Sequence, residues 1–346
     1  MKAAFFYKPG HITVEDVEIP QIKENEMLMH VRSAAICGTD LRIFKNGHFK
    51  IPPGVKRVLG HETAGEIVQV GKLVEGFKEG TRCTVTPNIG CGFCGFCRDG
   101  YNNMCADYEA FGISIDGGFQ EFMHIPNIAI RGGNVFPIPD HIEFDEATLI
   151  EPLSCCYNSL KSLKTSHEDI VLVIGAGPVG ALHVLLNRIA GAKKVISTDI
   201  RKERLEMVAS YGADYIIDAS QKDLKEEVMN YTKGKGADVI IVAASSPELQ
   251  TRSIELLATH GRINFFGGLG KNEQVFIDTN RIHYKGLHIL GTTGSTNSDY
   301  FKSLKLVDEG RADLKRLISK SFQLDEINEA FEYTASGKGL KNVINN

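Results

Sequence analysis

Two different patterns of hydrophobic residues divide the chain. Up to about residue 150, short apolar runs are broken by Gly, Pro and Asn, and they include AAFFY, MLMHVRSAAI, TAGEIVQV, TRCTV and FQEFMHI. Such runs predict short strands in an irregular, mostly antiparallel β domain. From about residue 170, apolar strands alternate with amphipathic helical stretches, which predicts a parallel sheet wound with helices.

The second pattern contains six predicted strands, namely VLVIGAG, KKVISTD, YIID, ADVIIVAA, GRINFFGG and LHILGTT. SPELQTRSIELLAT is predicted to be a helix between the fourth and the fifth. Six strands fit a complete doubly wound dinucleotide-binding (Rossmann) fold, so the predicted class is α/β. The tail, from SDYFK to TASG, is predicted to be helical and to end in a short strand, KNVINN. We expect this tail to return to the first domain, which gives domains at 1–152 with 293–346 and at 153–292.

Composition narrows the class of protein. A chain of 346 residues is long enough for two domains that each bury a core. Its net charge of -4 gives no support to nucleic-acid binding. No apolar run approaches the roughly 20 residues of a membrane helix, and the N-terminus passes into strand-like alternation without the apolar core of a signal peptide. We therefore expect a cytoplasmic protein with a small-molecule substrate and no membrane partner.

A glycine motif predicts the cofactor. Gly175, Gly177 and Gly180 follow the strand VLVI and open a helix, where they permit a tight turn and a close approach to a pyrophosphate. Asp199 ends the next strand, where it can bind ribose hydroxyls and repel a 2'-phosphate, so NAD is favoured. The basic residues that follow it keep NADP open, and a glycine-rich turn without a ligand is the simpler alternative. The predicted cofactor-binding set is Gly175, Gly177, Pro178, Val179, Gly180, Asp199, Arg204, Gly267, Thr292 and Thr293.

Four of the eight cysteines lie close together, at Cys91, Cys94, Cys97 and Cys105. Four thiolates at this spacing match a closed tetrahedral zinc site, which stabilises a fold and leaves no position for substrate. An iron–sulfur cluster uses the same ligands, and two disulfides are the other alternative. We predict a structural zinc here.

A nicotinamide cofactor implies hydride transfer, and an enzyme that took the hydride from an alcohol would need a metal with an open coordination position to stabilise the alkoxide. The candidate ligands outside the cysteine cluster are Cys37, His61, Glu62 and Glu151, each next to a glycine, proline or loop signal and expected at a strand end. Each also has a simpler interpretation, as a buried thiol, a loop histidine or a surface carboxylate. The remaining cysteines, at 83, 155 and 156, are expected to be inert core thiols.

Read in order, CGTD, GHE, the cysteine cluster, GGF, EP and GAGPVG, with the closing segment from Phe322 to Phe331, make the whole chain resemble the zinc-containing medium-chain alcohol dehydrogenases. Glu151 stands where the classical members carry a second cysteine ligand, so the chain is most similar to the sorbitol and threonine dehydrogenase branch. The resemblance implies a GroES-like catalytic domain, a homo-oligomer (dimer or tetramer), and a catalytic zinc held by Cys37, His61 and a carboxylate. Whether Glu62 or Glu151 is that carboxylate stays open.

The resemblance also implies a proton relay that begins at Thr39, whose simpler interpretation is a turn-capping hydroxyl. Family members commonly carry a histidine where this chain has Arg42, and a guanidinium cannot relay a proton at neutral pH. His48 is a substitute, or else an ordinary loop histidine. The outer end of the relay therefore departs from the family pattern.

The predicted reaction is oxidation of a secondary alcohol of a sorbitol-like polyol by NAD. A polyol phosphate and L-threonine are alternative substrates, and a zinc- and thiol-based redox sensor without catalysis is an alternative of another class. A basic stretch between the candidate zinc ligands motivates the phosphate hypothesis, although a solvated loop is the favoured explanation. The stretch contains Arg42, Lys45, Lys50, Lys56 and Arg57. Asn158 and Ser295 are further candidates for the pocket.

Overall fold

The computed structural model describes all 346 residues, which form two compact units. Unit 1 contains residues 1–154 and 294–346, and unit 2 contains residues 155–293. The strands are β1 Lys2–Lys8, β2 His11–Asp16, β3 Met27–Ala35, β4 Arg57–Val58, β5 Glu62–Val70, β6 Arg82–Val85, β7 Asn88–Ile89, β8 Glu109–Ala110, β9 Phe122–Ile125, β10 Val135–Pro137, β11 Ile170–Ile174, β12 Lys194–Asp199, β13 Tyr215–Asp218, β14 Ala237–Val242, β15 Leu257–Phe265, β16 His288–Gly291, β17 Ile318–Gln323 and β18 Lys341–Asn345.

The helices are shorter than the helical stretches of the sequence suggest. They are α1 Gly38–Asn46, α2 Gly95–Arg98, α3 Asn127–Arg131, α4 Phe144–Thr148, α5 Ile150–Leu163, α6 Pro178–Ile189, α7 Lys202–Ala209, α8 Leu224–Tyr231, α9 Pro247–Ser253, α10 Thr279–Lys285, α11 Asn297–Asp308 and α12 Ile327–Ala335. The boundary between the two units falls within α5. No helix combines the length and the apolar composition that crossing a membrane requires.

Unit 1 is built around a mixed sheet of seven strands. Six follow the order β10-β6-β5-β3-β18-β17, and β9 pairs with β3. Antiparallel pairing prevails, with β17 and β18 as the parallel pair. Small sheets β2-β1-β4 and β7-β8 complete the unit. Its core contains the apolar faces of β1 and β3 together with Phe322 and Phe331 of the returning tail.

Unit 2 contains one parallel sheet of six strands in the order β13-β12-β11-β14-β15-β16. In chain order within the sheet this is 3-2-1-4-5-6, the arrangement of a dinucleotide-binding fold. The central strands β11 and β14 are almost wholly buried, because helices cover both faces of such a sheet. The α/β class with a largely antiparallel and a parallel domain is confirmed.

Three local predictions are wrong. The helix predicted to extend through residue 259 ends earlier, and Leu257 already begins β15, because pairing with β14 outweighs local helix propensity. The tail is not helical throughout: Ile318–Gln323 forms β17 and pairs in parallel with β18. Glu151 lies in the first turn of α5 and not at a strand end.

Candidate metal and cofactor sites

Cys37 stands at the junction between β3 and α1. It is the N-cap residue of α1, and its backbone N–H donates to Asp40 Oδ2 at 2.8 Å. The other carboxylate oxygen of Asp40 accepts from the N–H of Gly60 at 3.2 Å. Asp40 is fully buried and therefore fixes two loops at once, the one that carries Cys37 and the one that leads to His61.

His61 and Glu62 lie at the start of β5. Because β5 pairs with β3 so that Glu62 faces Ala35, the start of β5 reaches the end of β3, where Cys37 follows. The Nδ1 of His61 lies 3.3 Å from Asp40 Oδ1, although without a well-aligned hydrogen bond. Burial opposes a charge on His61, but Asp40 and Cys37 outweigh it and raise the pKa of the imidazole well above its ordinary value.

The ligand atoms of Cys37, His61 and Glu62 lie within 4.8 Å of one another. Thiolate, imidazole and carboxylate are donors that zinc accepts, and three protein ligands leave the fourth position that a catalytic site needs. Glu151 is buried but lies outside this trio. Of the two candidate carboxylates, Glu62 is thus the one beside Cys37 and His61.

Sequence analysis missed Asp40 and two further buried residues, one that contacts Glu62 and one that interacts with it electrostatically. The Nζ of Lys341 contacts both carboxylate oxygens of Glu62. Tyr300, on α11, is fully buried, and its hydroxyl lies 2.7 Å from the Thr84 hydroxyl, which donates to the carbonyl of Thr63 at 2.9 Å. Burial, with Glu151 and Glu62 nearby, raises the pKa of Tyr300 well above its usual range.

Thr39 lies on α1, two residues beyond Cys37, and is half-buried. Arg42 donates from Nη2 to its Oγ1 at 3.0 Å. A guanidinium is only a donor, so the hydrogen of the Thr39 hydroxyl is left to donate elsewhere. Burial, with Lys50 and Arg42 nearby, lowers the pKa of His48.

The basic stretch does not form one cationic surface, because three of its side chains have other partners. Lys50 contacts the carbonyl of Tyr108 and lies over its ring, Lys56 pairs with Glu15 at 3.1 Å, and Arg57 pairs with Asp116 at 2.8 Å. Arg42 and Lys45 are exposed.

The four clustered cysteines, Cys91, Cys94, Cys97 and Cys105, place their sulfurs within 4.8 Å of one another. Hydrogen bonds from the backbone N–H groups of Phe93 and Cys94 lower the pKa of Cys91 to about 7, whereas desolvation raises that of Cys97 to about 12. Binding of a cation would ionise these neighbouring thiols together. The four sulfur donors fit a closed zinc site. Gly90 is required beside them, since a Cβ there would lie 2.6 Å from the Cys97 sulfur.

The cysteine lobe is tied to the start of α11 by two asparagines. Asn102 Nδ2 donates to Asn297 Oδ1 at 3.1 Å, and the backbone N–H of Asn297 donates to Asn102 Oδ1 at 3.1 Å. Asn297 Nδ2 also donates to the carbonyl of Gly132 at 2.6 Å. The lobe thus helps to fix the returning tail of unit 1.

In unit 2, the glycine motif forms the turn between β11 and α6. Gly175 has a φ of +104°, Gly177 is the N-cap of α6, and Pro178 and Val179 are the first helical residues. A Cβ at Gly180 would lie 1.8 Å from the carbonyl oxygen of Gly175, so no other residue fits there. The free N–H groups at the start of α6 make a ready site for a pyrophosphate.

Asp199 ends β12 beside this turn. Its carboxylate accepts from the N–H of Ala176 at 2.7 Å and from the N–H of Arg201 at 3.0 Å. Nη1 of Arg204 lies 3.6 Å from where a Cβ on Gly177 would stand. The structure therefore gathers the acidic residue, an arginine and the glycine turn at one edge of the sheet.

The other candidates have structural contacts of their own. Gly267 packs against the backbone of Ala244, and Thr292 Oγ1 accepts from Asn264 Nδ2 at 2.8 Å. Thr293 follows β16 by two residues. Asn158 is buried in α5, and the hydroxyl of buried Ser295 lies 2.7 Å from that of Ser154.

Two family models match the chain. The model described as alcohol dehydrogenase GroES-like domain matches residues 23–140, and the one described as zinc-binding dehydrogenase matches residues 178–309. The chain belongs to the zinc-dependent alcohol dehydrogenase family, and it is an oxidoreductase of that type. The predicted family and enzyme class are confirmed.

Individual proteins agree with this placement. Sorbitol dehydrogenase of Bacillus subtilis (strain 168) is 32% identical over 96% of this chain and 93% of its own. L-threonine 3-dehydrogenase of Pyrococcus horikoshii is 32% identical over 99% of this chain and 98% of its own. A solved structure from Sinorhizobium meliloti 1021, described as a zinc-binding dehydrogenase bound to NADP, is 30% identical, covers 100% of this chain and 99% of its own, and has a TM-score of 0.92.

Proposed function

We propose that the protein oxidises a secondary alcohol of a polyol to a ketone, with NAD as the hydride acceptor and a zinc ion held by Cys37, His61 and Glu62. The observation that carries the proposal is the trio itself: three zinc donors within 4.8 Å of one another, with Thr39 on the adjacent helix turn. A zinc ion bound there supplies Lewis acidity, which lowers the pKa of an alcohol. We propose a second zinc, of structural role, for the four-cysteine lobe.

The residues around the trio have separable roles in this proposal. The N-terminus of α1 favours the thiolate of Cys37, and Asp40 orients the imidazole of His61 as carboxylates commonly orient metal-binding histidines. The hydroxyl of Thr39 accepts the proton of the alcohol on the lone pair that Arg42 leaves open, and it passes its own proton on. Arg42 itself moves no proton, so protons leave Thr39 through water.

A neutral polyol is favoured over a phosphorylated one by the partners of the basic stretch. Lys50, Lys56 and Arg57 are engaged with Tyr108, Glu15 and Asp116, which leaves few cations to bind a phosphate. L-threonine is the second candidate. Its dehydrogenases are as similar to this chain as sorbitol dehydrogenase is, and exposed Arg42 suits a carboxylate.

NAD is favoured over NADP by the position of Asp199. A carboxylate at the end of β12, next to the glycine turn, binds ribose hydroxyls and repels a 2'-phosphate. Arg204 favours NADP if it pairs with the 2'-phosphate, whereas it favours NAD if it stacks on adenine. Replacing Asp199 by Ala therefore improves the use of NADP relative to NAD.

The experiment is a panel of free hexitols, hexitol phosphates, L-threonine and simple alcohols, each assayed with NAD and with NADP. We expect the highest kcat/KM for a free hexitol with NAD, and loss of activity on chelation. The matched variant Cys37→Ser should abolish turnover, whereas Cys83→Ser, in the core of unit 1, should leave it measurable. If no alcohol reduces either cofactor, the proposal is contradicted. A preference for L-threonine or for a hexitol phosphate would identify that compound as the substrate in place of a free hexitol.

A further inference from the structure

Asn264 is a buried amide near the carboxyl end of the parallel sheet in unit 2. It is the penultimate residue of β15 and is fully buried, with Ile241 of β14 and Leu290 of β16 as its partners in register. Its Nδ2 donates to Ser159 Oγ at 2.6 Å and to Thr292 Oγ1 at 2.8 Å. Both N–H groups of the amide are therefore used, one toward α5 and one toward the segment that follows β16.

The carbonyl oxygen of the same amide is buried and has no hydrogen-bond partner. An unpaired buried carbonyl destabilises a fold, and an apolar side chain of similar shape would avoid that cost. The partners of Asn264 in both neighbouring strands are apolar, so packing in the sheet does not require an amide. What Asn264 provides, and an apolar residue would not, is its pair of N–H donors.

The contact with Thr292 fixes how that hydroxyl can act. An amide N–H only donates, so Thr292 Oγ1 is the acceptor in this hydrogen bond, and its own hydrogen is directed to another acceptor. Thr292 is half-buried and lies one residue beyond β16, at the edge of the sheet where doubly wound folds bind their ligands. Thr292 therefore offers a hydroxyl donor at the ligand edge.

The strand order indicates which part of a dinucleotide meets this donor. The glycine turn follows β11 and Asp199 ends β12, so the pyrophosphate and the adenosine half belong to the half of the sheet formed by β11, β12 and β13. The half formed by β14, β15 and β16 is left for the nicotinamide half. Nicotinamide carries a carboxamide, and the carbonyl oxygen of that group accepts a hydrogen bond from a hydroxyl.

We propose that Asn264 is a positioning residue for the cofactor, which holds the Thr292 hydroxyl as a donor to the carboxamide carbonyl of nicotinamide. Ser159 accepts the second N–H and so fixes the amide from α5. This inference rests on the proposed use of a nicotinamide cofactor, but it does not depend on which alcohol is oxidised. The competing explanation is that Asn264 only ties α5 to β15 and β16. In that case its loss affects the binding of both halves of the cofactor alike, or of neither.

The test compares two ligands that share the adenosine half and the pyrophosphate. NADH carries nicotinamide, whereas ADP-ribose lacks it, and the affinity of the whole protein for each is measured by calorimetry. Asn264→Leu has a similar shape without the N–H groups. It should weaken NADH binding about fivefold, the factor expected for one neutral hydrogen bond, and leave ADP-ribose binding unchanged. Asn187→Leu is the matched control, because Asn187 is also fully buried in unit 2 with an unpaired carbonyl but does not contact Thr292. It should leave the ratio of the two affinities as in the wild type.

A double variant tests the route through Thr292. Thr292→Val keeps the shape and removes the hydroxyl, so it should also weaken NADH binding about fivefold, and adding Asn264→Leu should cause no further loss. Equal losses for NADH and ADP-ribose in Asn264→Leu would overturn the proposal. So would unchanged NADH affinity, or a full further loss in the Thr292→Val background. If Asn264→Leu does not fold, Asn264→Ala gives the same comparison. Absence of NADH binding by the wild type would contradict the proposed use of NAD, whereas the other failures leave that use intact.

Discussion

A buried histidine on α6, the helix that begins at the glycine motif, makes the stability of the protein sensitive to acid. His183, on α6, is wholly buried against Phe266, and neither of its ring nitrogens has a hydrogen-bond partner. Burial lowers the pKa of His183 from 6.5 to about 3. Below pH 6.5 the unfolded chain therefore binds a proton that the folded chain does not, so stability is lost as the pH falls from about 6.5 towards 3.

The size of this loss of stability follows from the lowered pKa of His183. At about pH 5 the loss is about 2 kcal/mol, since each pKa unit is worth about 1.4 kcal/mol and about 1.5 units separate that pH from the pKa in the unfolded chain. The loss of stability at pH 5 is the same for any pKa of His183 in the folded chain below about 4. Replacing His183 by Leu removes the titrating group. The variant should therefore gain about 2 kcal/mol relative to the wild type on going from pH 7.5 to pH 5.

Urea unfolding of both proteins at the two pH values, followed by circular dichroism, measures this double difference. Packing changes and the titration of other groups affect both comparisons equally and cancel. His283→Leu, on an exposed face of α10, is the matched control for replacing a histidine by leucine. A difference between His183→Leu and wild type that is the same at both pH values would refute the reasoning.

Two further predictions concern the cofactor turn and the cysteine lobe. Gly180→Ala should abolish NADH binding in a fluorescence titration, because its Cβ would lie 1.8 Å from the carbonyl oxygen of Gly175; retained affinity would show that the turn relaxes at little cost. Asn297→Ala removes side-chain hydrogen bonds to Asn102 and Gly132, so it should cost about 1–3 kcal/mol of stability and speed zinc release from the lobe. Unchanged melting and zinc retention would show that the lobe holds its place without this contact.

The fold follows from the sequence where local patterns are long. Six apolar strands with helices between them specify the parallel sheet of unit 2, because each strand is buried on both faces and reads as a continuous apolar run. Short elements are harder to predict. β17 alternates half-buried and exposed residues within a segment that also suits a helix, and its pairing with β18 decides its structure.

The residues of the candidate site also differ in how readily the sequence predicts them. Cys37 and Thr39 are neighbours in one short segment, so a sequence motif reveals them together. Lys341 is different, because it meets Glu62 only through the pairing of β18 with β3 and of β3 with β5. Within its own segment, the only indication of this contact is that a lysine occupies an inward position of a short strand. No spacing in the sequence indicates which of two distant carboxylates reaches Cys37 and His61.

In the proposed function, the catalytic zinc at Cys37, His61 and Glu62 is separate from the zinc of the four-cysteine lobe. The most direct measurement is zinc content by mass spectrometry on wild type and Cys37→Ser, each assayed for polyol oxidation in the same preparation. We predict two zinc ions per chain and activity in the wild type, and one zinc ion, a folded chain and no activity in the variant. Two retained zinc ions with full activity in Cys37→Ser would contradict the assignment of two separate zinc sites.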